Sequence, residues 1–442
     1  MCGLFHGPAP TAGFPEGKLS GLTPPLPPRI KMLKKIPVRQ VRLGMHIHSL
    51  TGAWLDHPFW KTKFVIEEPA DLQKLQASGV EEVWIDPGKG LDVAPEPPPA
   101  PSTAAAAPVP AAPPVTPAPQ STDFEEEVRR ATVLIGKSKQ AVVALFTEAR
   151  LGKAIDAEEC LPLVDEIASS VWRNPGAMVS LARLKTHDDY TYMHSVAVCA
   201  LMVSLARQLG ADENETRLAG LGGLLHDMGK AVMPLDVLNK PGRLTDDEFR
   251  VIKSHPERGF EMLRAGGTAP LAALDICLHH HEKMDGSGYP RGLRGDQISK
   301  MARMGAVCDV YDAITSDRPY KSGWDPAEAI RNMAEWRGGH FDDAVFQGFV
   351  KSLGIYPTGS LLRLHSGRLA VVVSQNEKSL VTPVVKVFFS TRSQLHITPE
   401  LLDLSSPSCN DRIVARESNA EWKFSHLDEL WAGPETLKRL GK

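Results

Sequence analysis

Residues 94–122 constrain the fold more than any other stretch. "APEPPPAPSTAAAAPVPAAPPVTPAPQST" is almost pure Pro, Ala, Thr and Ser. Such a segment lacks the large apolar side chains that offset the entropy of ordering a chain, so it reads as a semi-extended tether. It divides the 442 residues into separate pieces, as the length also requires, because single cores rarely grow so large. The expected order is a disordered segment over 1–32, a small α+β domain over 33–92, the linker over 93–122, a helical domain over 123–355 and a β-rich extension over 356–442. Met32 begins "MLKKIPVRQV", which reads as a natural start, with the preceding segment as an extension.

Apolar residues make up 42% and charged residues 23%, an ordinary balance for a soluble globular chain. The net charge of -3 argues against a broad surface for a nucleic-acid polymer, yet leaves room for a local positive pocket. None of the six cysteines forms a C-x-x-C pair. The N-terminal segment has no continuous apolar core of a secretory signal, and no apolar run is long enough to span a bilayer. These features predict a reduced, cytoplasmic chain without a membrane span.

Local patterning supplies the elements. "KKIPVRQVRLGMHIHSL" alternates apolar and polar residues like a strand, and "EEPADLQKLQASGVEEVWID" predicts a short helix, a stop at Gly79 and a strand over Glu82–Ile85. His46 and His48 fall on one strand face, a spacing that suits a metal pair but far more often an ordinary polar face. Beyond the linker, "DFEEEVRRATVLIGKSKQAVVALFTEARLG" predicts a long amphipathic helix, and further helices follow to about residue 354. Residues 360–389 switch to strand patterning with turn residues between the runs. The fold class is therefore mostly α, a helical bundle with a small α+β domain before it and a small β-rich appendage after it.

Seven of the 15 histidines lie between His187 and His281. "YTYMHSVAVCALMVSLARQLG" repeats Val196, Cys199, Val203, Ala206 and Leu209 at helical spacing and carries His194 near its start. "TRLAGLGGLLHDMGK" repeats Leu218, Leu221, Leu224, Leu225 and Met228, and places His226 and Asp227 at its buried end. "LTDDEFRVIKSH" has a capping box in Thr245 and Glu248 and is expected to end at His255, before Pro256. "LAALDICLHHHE" predicts a short helix ending in His280 and His281, and "ISKMARMGAVCDVYDAITS" another carrying Asp309. Side chains from facing helices converge on metals in this way in all-α bundles. A buried Asp beside buried His is costly unless a cation compensates. Adjacent residues on a helix point about 100° apart, so His226 and Asp227 suit two ions better than one, with Asp227 bridging. A lone buried histidine is usually a satisfied core residue, and an isolated His-Asp pair is common. The ordered set from His194 to Asp309 is neither. In "HHHEKMDGSGYP", Gly286 and Gly288 permit a tight turn and close approach to a ligand, Tyr289 offers a ring and a hydroxyl, and Pro290 stiffens the exit.

"HDMGK", "HHHEKMDGSGYP" and "DVYDAITSDRPYK" together resemble the HD-GYP phosphodiesterases, a branch of the HD metal-dependent phosphohydrolases, over roughly residues 125–355. Residues 33–92, with "GAWLDHPFW" inside, resemble the small domain often found before HD-GYP modules. The resemblance implies an HD-type bundle with metal ligands His194, His226, Asp227, His255, His280, His281 and Asp309. His194, His226, Asp227 and Asp309 would serve one ion, and Asp227, His255, His280 and His281 the other. His279 would stay outside the ligand set. Some family members place a Glu for a third metal where this chain has Tyr190, which argues for two divalent ions, iron or manganese by family.

The same resemblance implies hydrolysis of cyclic di-GMP to pGpG, with GMP as a further product, by a hydroxide bridging the ions. Such a net-positive site suits a phosphodiester monoanion, and paired metals clamp the attacking and leaving oxygens. Lys230 is assigned to a phosphate oxygen or to protonating the leaving group, its plainer role being a solvated lysine at a helix end. Tyr289, Arg318, Lys321 and Asp188 would line the nucleotide pocket, although Arg318 also suits a structural salt bridge and Asp188 a helix cap. Asp312, one turn after Asp309, would orient a ligand histidine. No GGDEF motif accompanies the site. The alternatives are a hydrolase of another cyclic dinucleotide and a silent cyclic di-GMP receptor acting through signalling-protein partners. A homodimer is also compatible with the sequence.

Overall fold

The structure is a computed structural model and describes residues 33–50, 64–66, 68–77, 80, 82–93, 123–184, 190–240, 242–316, 323–376 and 379–441. The expectations for 1–32, for the Pro/Ala-rich stretch 94–122, for "GAWLDHPFW" and for Asp188, Arg318 and Lys321 lie outside these residues. The chain divides into two compact units, Met1–Thr103 and Ala104–Lys442.

In the first unit, β1 (Lys34–Pro37), β2 (His46–Leu50), β3 (Phe64–Val65) and β4 (Glu82–Ile85) form an antiparallel sheet in the order β1-β4-β2-β3, with α1 (Pro69–Ala77) between β3 and β4 in sequence. The alternating run that reads as one strand is two. Pro37, which has no N–H to give a ladder, closes β1, and a 3-10 turn over Val38–Gln40 follows. Alternation still decides the faces: Val83 and Ile85 are buried while Trp84 between them is exposed. Ile36, Met45, Ile47 and Leu75 complete this small core.

The second unit is a helical bundle. It runs through α2 (Phe124–Arg150), α3 (Leu161–Arg173), α4 (Pro175–Arg183), α5 (Tyr190–Gln208), α6 (Glu213–Leu225), α7 (Leu235–Leu238) and α8 (Asp246–Ile252). It continues through α9 (His255–Gly266), α10 (Leu271–His279), α11 (Lys300–Thr315), α12 (Pro326–Trp336) and α13 (Asp343–Leu353). Helix α2 starts where Asp123 caps the Glu125 N–H. It is locked to α3 by the fully buried Glu127, which accepts from Arg173 Nε and Nη2 at 2.7 and 2.9 Å and from Ser170 Oγ at 2.7 Å. Removing one partner of such a buried pair costs about 3–5 kcal/mol, because the other charge is stranded.

Helix α5 is the central rod. Every residue from Met193 to Ala206 is buried, so it has no water-facing side, and His194 stands near its N-terminal end. Two expected helix ends shift. The helix capped by Thr245 and Glu248 stops at Ile252, and His255 opens α9 rather than closing α8. Pro256 falls in the first turn of α9, where its missing N–H breaks no helical bond. Helix α10 stops at His279, leaving His280 as its C-terminal cap and His281 beyond it.

The appendage is an antiparallel sheet of β5 (Leu361–Leu364), β6 (Arg368–Asn376), β7 (Ser379–Ser390), β8 (Leu395–Asp403) and β9 (Ile413–Arg416), ordered β8-β7-β6-β5-β9. Val371 and Val373 of β6 join the bundle core, while Ala370 and Val372 on the other face build a second core with Val385 and Val387. Three short helices follow, α14 (Asn419–Trp422), α15 (Glu429–Ala432) and α16 (Pro434–Arg439), and their Trp431 and Leu437 also enter the bundle core. Among the described residues, no helix is long and apolar enough to cross a membrane.

Candidate metal centre

Six elements deliver imidazoles and carboxylates to one pocket of the bundle. His194 comes from α5, His226 caps α6, Asp227 leads the 3-10 turn Met228–Val232, His255 opens α9, His280 and His281 follow α10, and Asp309 lies on α11. The approach of α9 to the 3-10 turn depends on Gly229. A Cβ there would sit 1.9 Å from the His255 carbonyl oxygen, so a side chain would drive His255 away from Asp227.

The donors form two groups that share one carboxylate. Asp227 Oδ2 lies 3.4 Å from both His194 Nε2 and His226 Nε2, and those two nitrogens are 3.2 Å apart. Asp309 Oδ1 stands 3.0 Å from His194 Nε2 and 3.9 Å from His226 Nε2. On the other side, Asp227 Oδ1 lies 3.2 Å from His255 Nε2 and 3.9 Å from His280 Nε2, which are themselves 3.2 Å apart. His281 is close enough to share an ion with His255 and His280, and its Nδ1 is 3.6 Å from Asp309 Oδ2. His194, His226, Asp227, His255 and His280 are at most 2% exposed, and Asp309 is 6% exposed.

Second partners fix the rings. His226 Nδ1 donates to Gly223 O (2.7 Å), His255 Nδ1 to Ile252 O (2.8 Å), and His280 Nδ1 to Cys277 O (3.0 Å) and Ile276 O (3.1 Å). A carbonyl can only accept, so each of these rings carries its proton on Nδ1 and turns a lone pair on Nε2 into the pocket. His194 Nδ1 instead meets the carboxylate of Asp312 at 2.6 Å.

Electrostatics then test the fit. Burial pushes His255 and His280 below the ordinary imidazole range, His280 strongly, and pushes His281 down to about 3. His255 and His280 are thus neutral, with two lone pairs facing each other at 3.2 Å. Asp227 Oδ1 joins them, buried and without a hydrogen-bond donor. Three acceptors converging without a proton repel unless a cation sits among them. Donors at ordinary metal-ligand bond lengths around one ion stand about 3 Å apart, as His255 Nε2 does from both His280 Nε2 and Asp227 Oδ1, while Asp227 Oδ1 and His280 Nε2 are 3.9 Å apart. Burial would raise Asp227 and Asp309, yet Lys230 and the imidazoles hold Asp227, and His194 and His281 hold Asp309, well below the usual carboxylate range. Burial would lower His194, but Asp309 and Asp312 outweigh it and raise its pKa, so this corner also attracts positive charge. The donor set fits metal binding.

The Gly-Tyr-Pro loop closes one side. Gly288 lies against the histidine run, where a Cβ would come within 2.5 Å of Glu282 Cα and Lys283 N. Tyr289 N donates to His281 O (3.2 Å). The Tyr289 ring stacks on His281 at 4.7 Å and 28°, and Lys253 Nζ stands 5.4 Å from the ring centroid. The Tyr289 ring is thus held against His281 with a cation beside it, and its hydroxyl is the polar group it can offer a ligand. Burial pushes the phenol pKa up, which keeps that hydroxyl protonated.

Three contributors escape sequence reasoning. Glu282, buried, accepts from Arg291 N (2.6 Å) and Leu293 N (3.0 Å) and so moors the far side of the loop. Lys253, two residues before His255, brings its ammonium within 5.4 Å of the Tyr289 ring centroid. The turn between α12 and α13 holds the start of the loop, with Asp285 N donating to Gly339 O (2.9 Å) and Met284 N to His340 O (3.2 Å). Lys230 Nζ lies 2.5 Å from Asp227 Oδ2. His279 turns away, its Nδ1 on Asp275 Oδ1 at 2.8 Å.

A helical bundle that gathers histidines and aspartates in this order is an HD-type phosphohydrolase fold, a metal-dependent class. The family model described as "HD domain" matches residues 173–345, and a domain of unknown function, DUF3391, matches 33–160. The chain is 56% identical to a cyclic di-GMP phosphodiesterase of Pseudomonas aeruginosa, covering 91% of this chain and 96% of that one. It is 46% identical to a cyclic di-GMP phosphodiesterase response regulator of Xanthomonas campestris pv. campestris, covering 33% of this chain and 39% of that one. It is also 33% identical to a 3'3'-cGAMP-specific phosphodiesterase of Vibrio cholerae serotype O1, covering 40% and 41%. The chain belongs to the HD-GYP branch of the HD-domain phosphohydrolases.

Proposed function

We propose that this chain is a phosphodiesterase that opens cyclic di-GMP to linear pGpG, with GMP as the product of a second cut. The observation that carries this reading is Asp227, whose two oxygens each face a separate pair of imidazole nitrogens. His194, His226, Asp227 and Asp309 would hold one divalent ion, and Asp227, His255, His280 and His281 a second. Donors of nitrogen and oxygen without a thiolate suit iron or manganese. Bound there, paired ions supply Lewis acidity toward the phosphoryl oxygens and lower the pKa of a bound water.

The chain's own groups do the remainder. Asp312 keeps the His194 ring oriented. Lys230, partly exposed beside Asp227, is placed to meet a phosphate oxygen or to give a proton to the departing ribose oxygen. Tyr289, its ring stacked on His281, offers its protonated hydroxyl to the substrate. Asp188, Arg318 and Lys321 complete the pocket in this reading, on the strength of the motif alone. The buried free thiols Cys160, Cys199, Cys277 and Cys308 support a reducing, cytoplasmic setting.

The test is metal analysis of anaerobically purified protein together with hydrolysis of cyclic di-GMP, cyclic di-AMP and 3'3'-cGAMP. About two ions per chain and preferential turnover of cyclic di-GMP are expected. A fully metal-loaded chain that binds cyclic di-GMP without cleaving it would instead be a receptor.

A further inference from the structure

Away from the metal pocket, α12 and α13 meet the C-terminal sheet along a cleft of about 720 Å³. Its floor is apolar, with Ile330, Phe346, Val350 and Tyr356. Its walls carry Arg331 from α12, Arg337 just beyond the end of α12, Lys351 from α13 and Arg416 from β9. No acidic side chain lines it among the described residues, and none of the four cations has an ion-pair partner among them. Asp325, the buried carboxylate that feels Arg416, is turned to the start of α12, where it accepts from Ala327 N (2.9 Å) and Glu328 N (3.2 Å).

Four like charges around one apolar hollow repel one another, and an anion relieves that repulsion. The volume lies in the range of small-molecule sites, roughly 300–1,000 Å³. Guanidinium forks match phosphate oxygens, and an aromatic floor receives a planar ring. The cleft also has a route to the metal pocket. Arg337 bridges to Phe341 across the α12–α13 turn, and that turn holds Met284 and Asp285 at the start of the Gly-Tyr-Pro loop.

We propose that this cleft binds a phosphorylated nucleoside, with its phosphates on Arg331, Lys351 and Arg416 and its base against Tyr356, and that occupancy tightens the Gly-Tyr-Pro loop through the α12–α13 turn. The binding half stands without the proposed phosphodiesterase activity, and only the consequence for turnover rests on it.

Calorimetry on full-length D227A, which lacks the shared metal carboxylate, would be run with guanosine triphosphate and with inorganic pyrophosphate. One saturable nucleotide site is expected, weakened roughly tenfold or more when R331E and K351E are added, with pyrophosphate weaker than the nucleotide. In the metal-loaded chain without D227A, the nucleotide is expected to slow hydrogen exchange over residues 283–295, and R331E/K351E is expected to remove that response. That pair leaves the metal pocket untouched, so basal turnover and ion content serve as folding controls. Absence of saturable binding, or binding unchanged by R331E/K351E, overturns the site. Pyrophosphate binding as tightly as the nucleotide overturns the nucleoside assignment, and loop protection that persists in R331E/K351E overturns the coupling. Both readouts report binding, so they stand or fall independently of cyclic di-GMP hydrolysis.

Discussion

The half of the pocket around His194 and the half around His280 use the same ring but back it differently. His194 leans on the Asp312 carboxylate and faces Asp309, so negative charge accumulates there. His255 and His280 lean only on backbone carbonyls, and the nearest carboxylate oxygen is the one that Asp227 lends them. An imidazole backed by a carboxylate is the more basic donor. In the proposed two-ion reading the two halves are therefore unequal, and the His280 half is expected to release its ion first.

The largest expected effect abolishes the distinction. Asp227→Ala removes an oxygen from both halves, and turnover of cyclic di-GMP is expected to fall by about 10³-fold or more with loss of both ions. Metal analysis and a hydrolysis assay check this, and retained ions in one half would show that Asp227 is not shared. Next comes Gly229→Ala, which forces His255 outward and strikes the His280 half alone. A drop of about 10²-fold in turnover, a destabilisation of about 1–3 kcal/mol in chemical denaturation and the loss of one ion of the pair are expected. Asp312→Asn attacks the other half. The Asn oxygen still accepts from His194, so about a tenfold loss of ion affinity is expected there, with the His280 half unchanged in a metal titration. Smallest is Lys253→Met, which removes the cation beside Tyr289 and touches neither half. A cation over a ring is worth about 0.5–1 kcal/mol at an exposed site, so KM is expected to rise about threefold with ion content constant.

Most of the pocket was legible because its chemistry is written in residue types that packing does not request. His226, Asp227 and Asp309 close or punctuate apolar repeats, and a repeat that ends on a buried charge needs a partner. His255 was legible as a residue but not as a position. Pro256 reads equally as a stop for the helix before it and as the first turn of the helix after it, and only the structure distinguishes the two. Glu282 shows the limit more sharply. It sits inside the histidine run, but its work is to hold Arg291 and Leu293 after the loop returns, a closure that no periodicity announces. Lys253 over Tyr289 and the α12–α13 turn under Met284 are tertiary contacts of the same kind. The short helices α14 to α16 are below the length at which helical spacing stands out from chance, so the last residues read as β-rich only. In the first unit, alternation found the buried faces of β4, whereas Pro37 set a break that alternation could not see.

The enclosed rod α5 carries a consequence for how this protein tolerates change. With no wet flank between Met193 and Ala206, an added methyl group such as Val198→Ile has no slack to expand into, and the displacement travels lengthwise to the imidazole at the rod's head. Conservative drift along this helix is therefore expected to surface as faulty cation retention well before it surfaces as collapse.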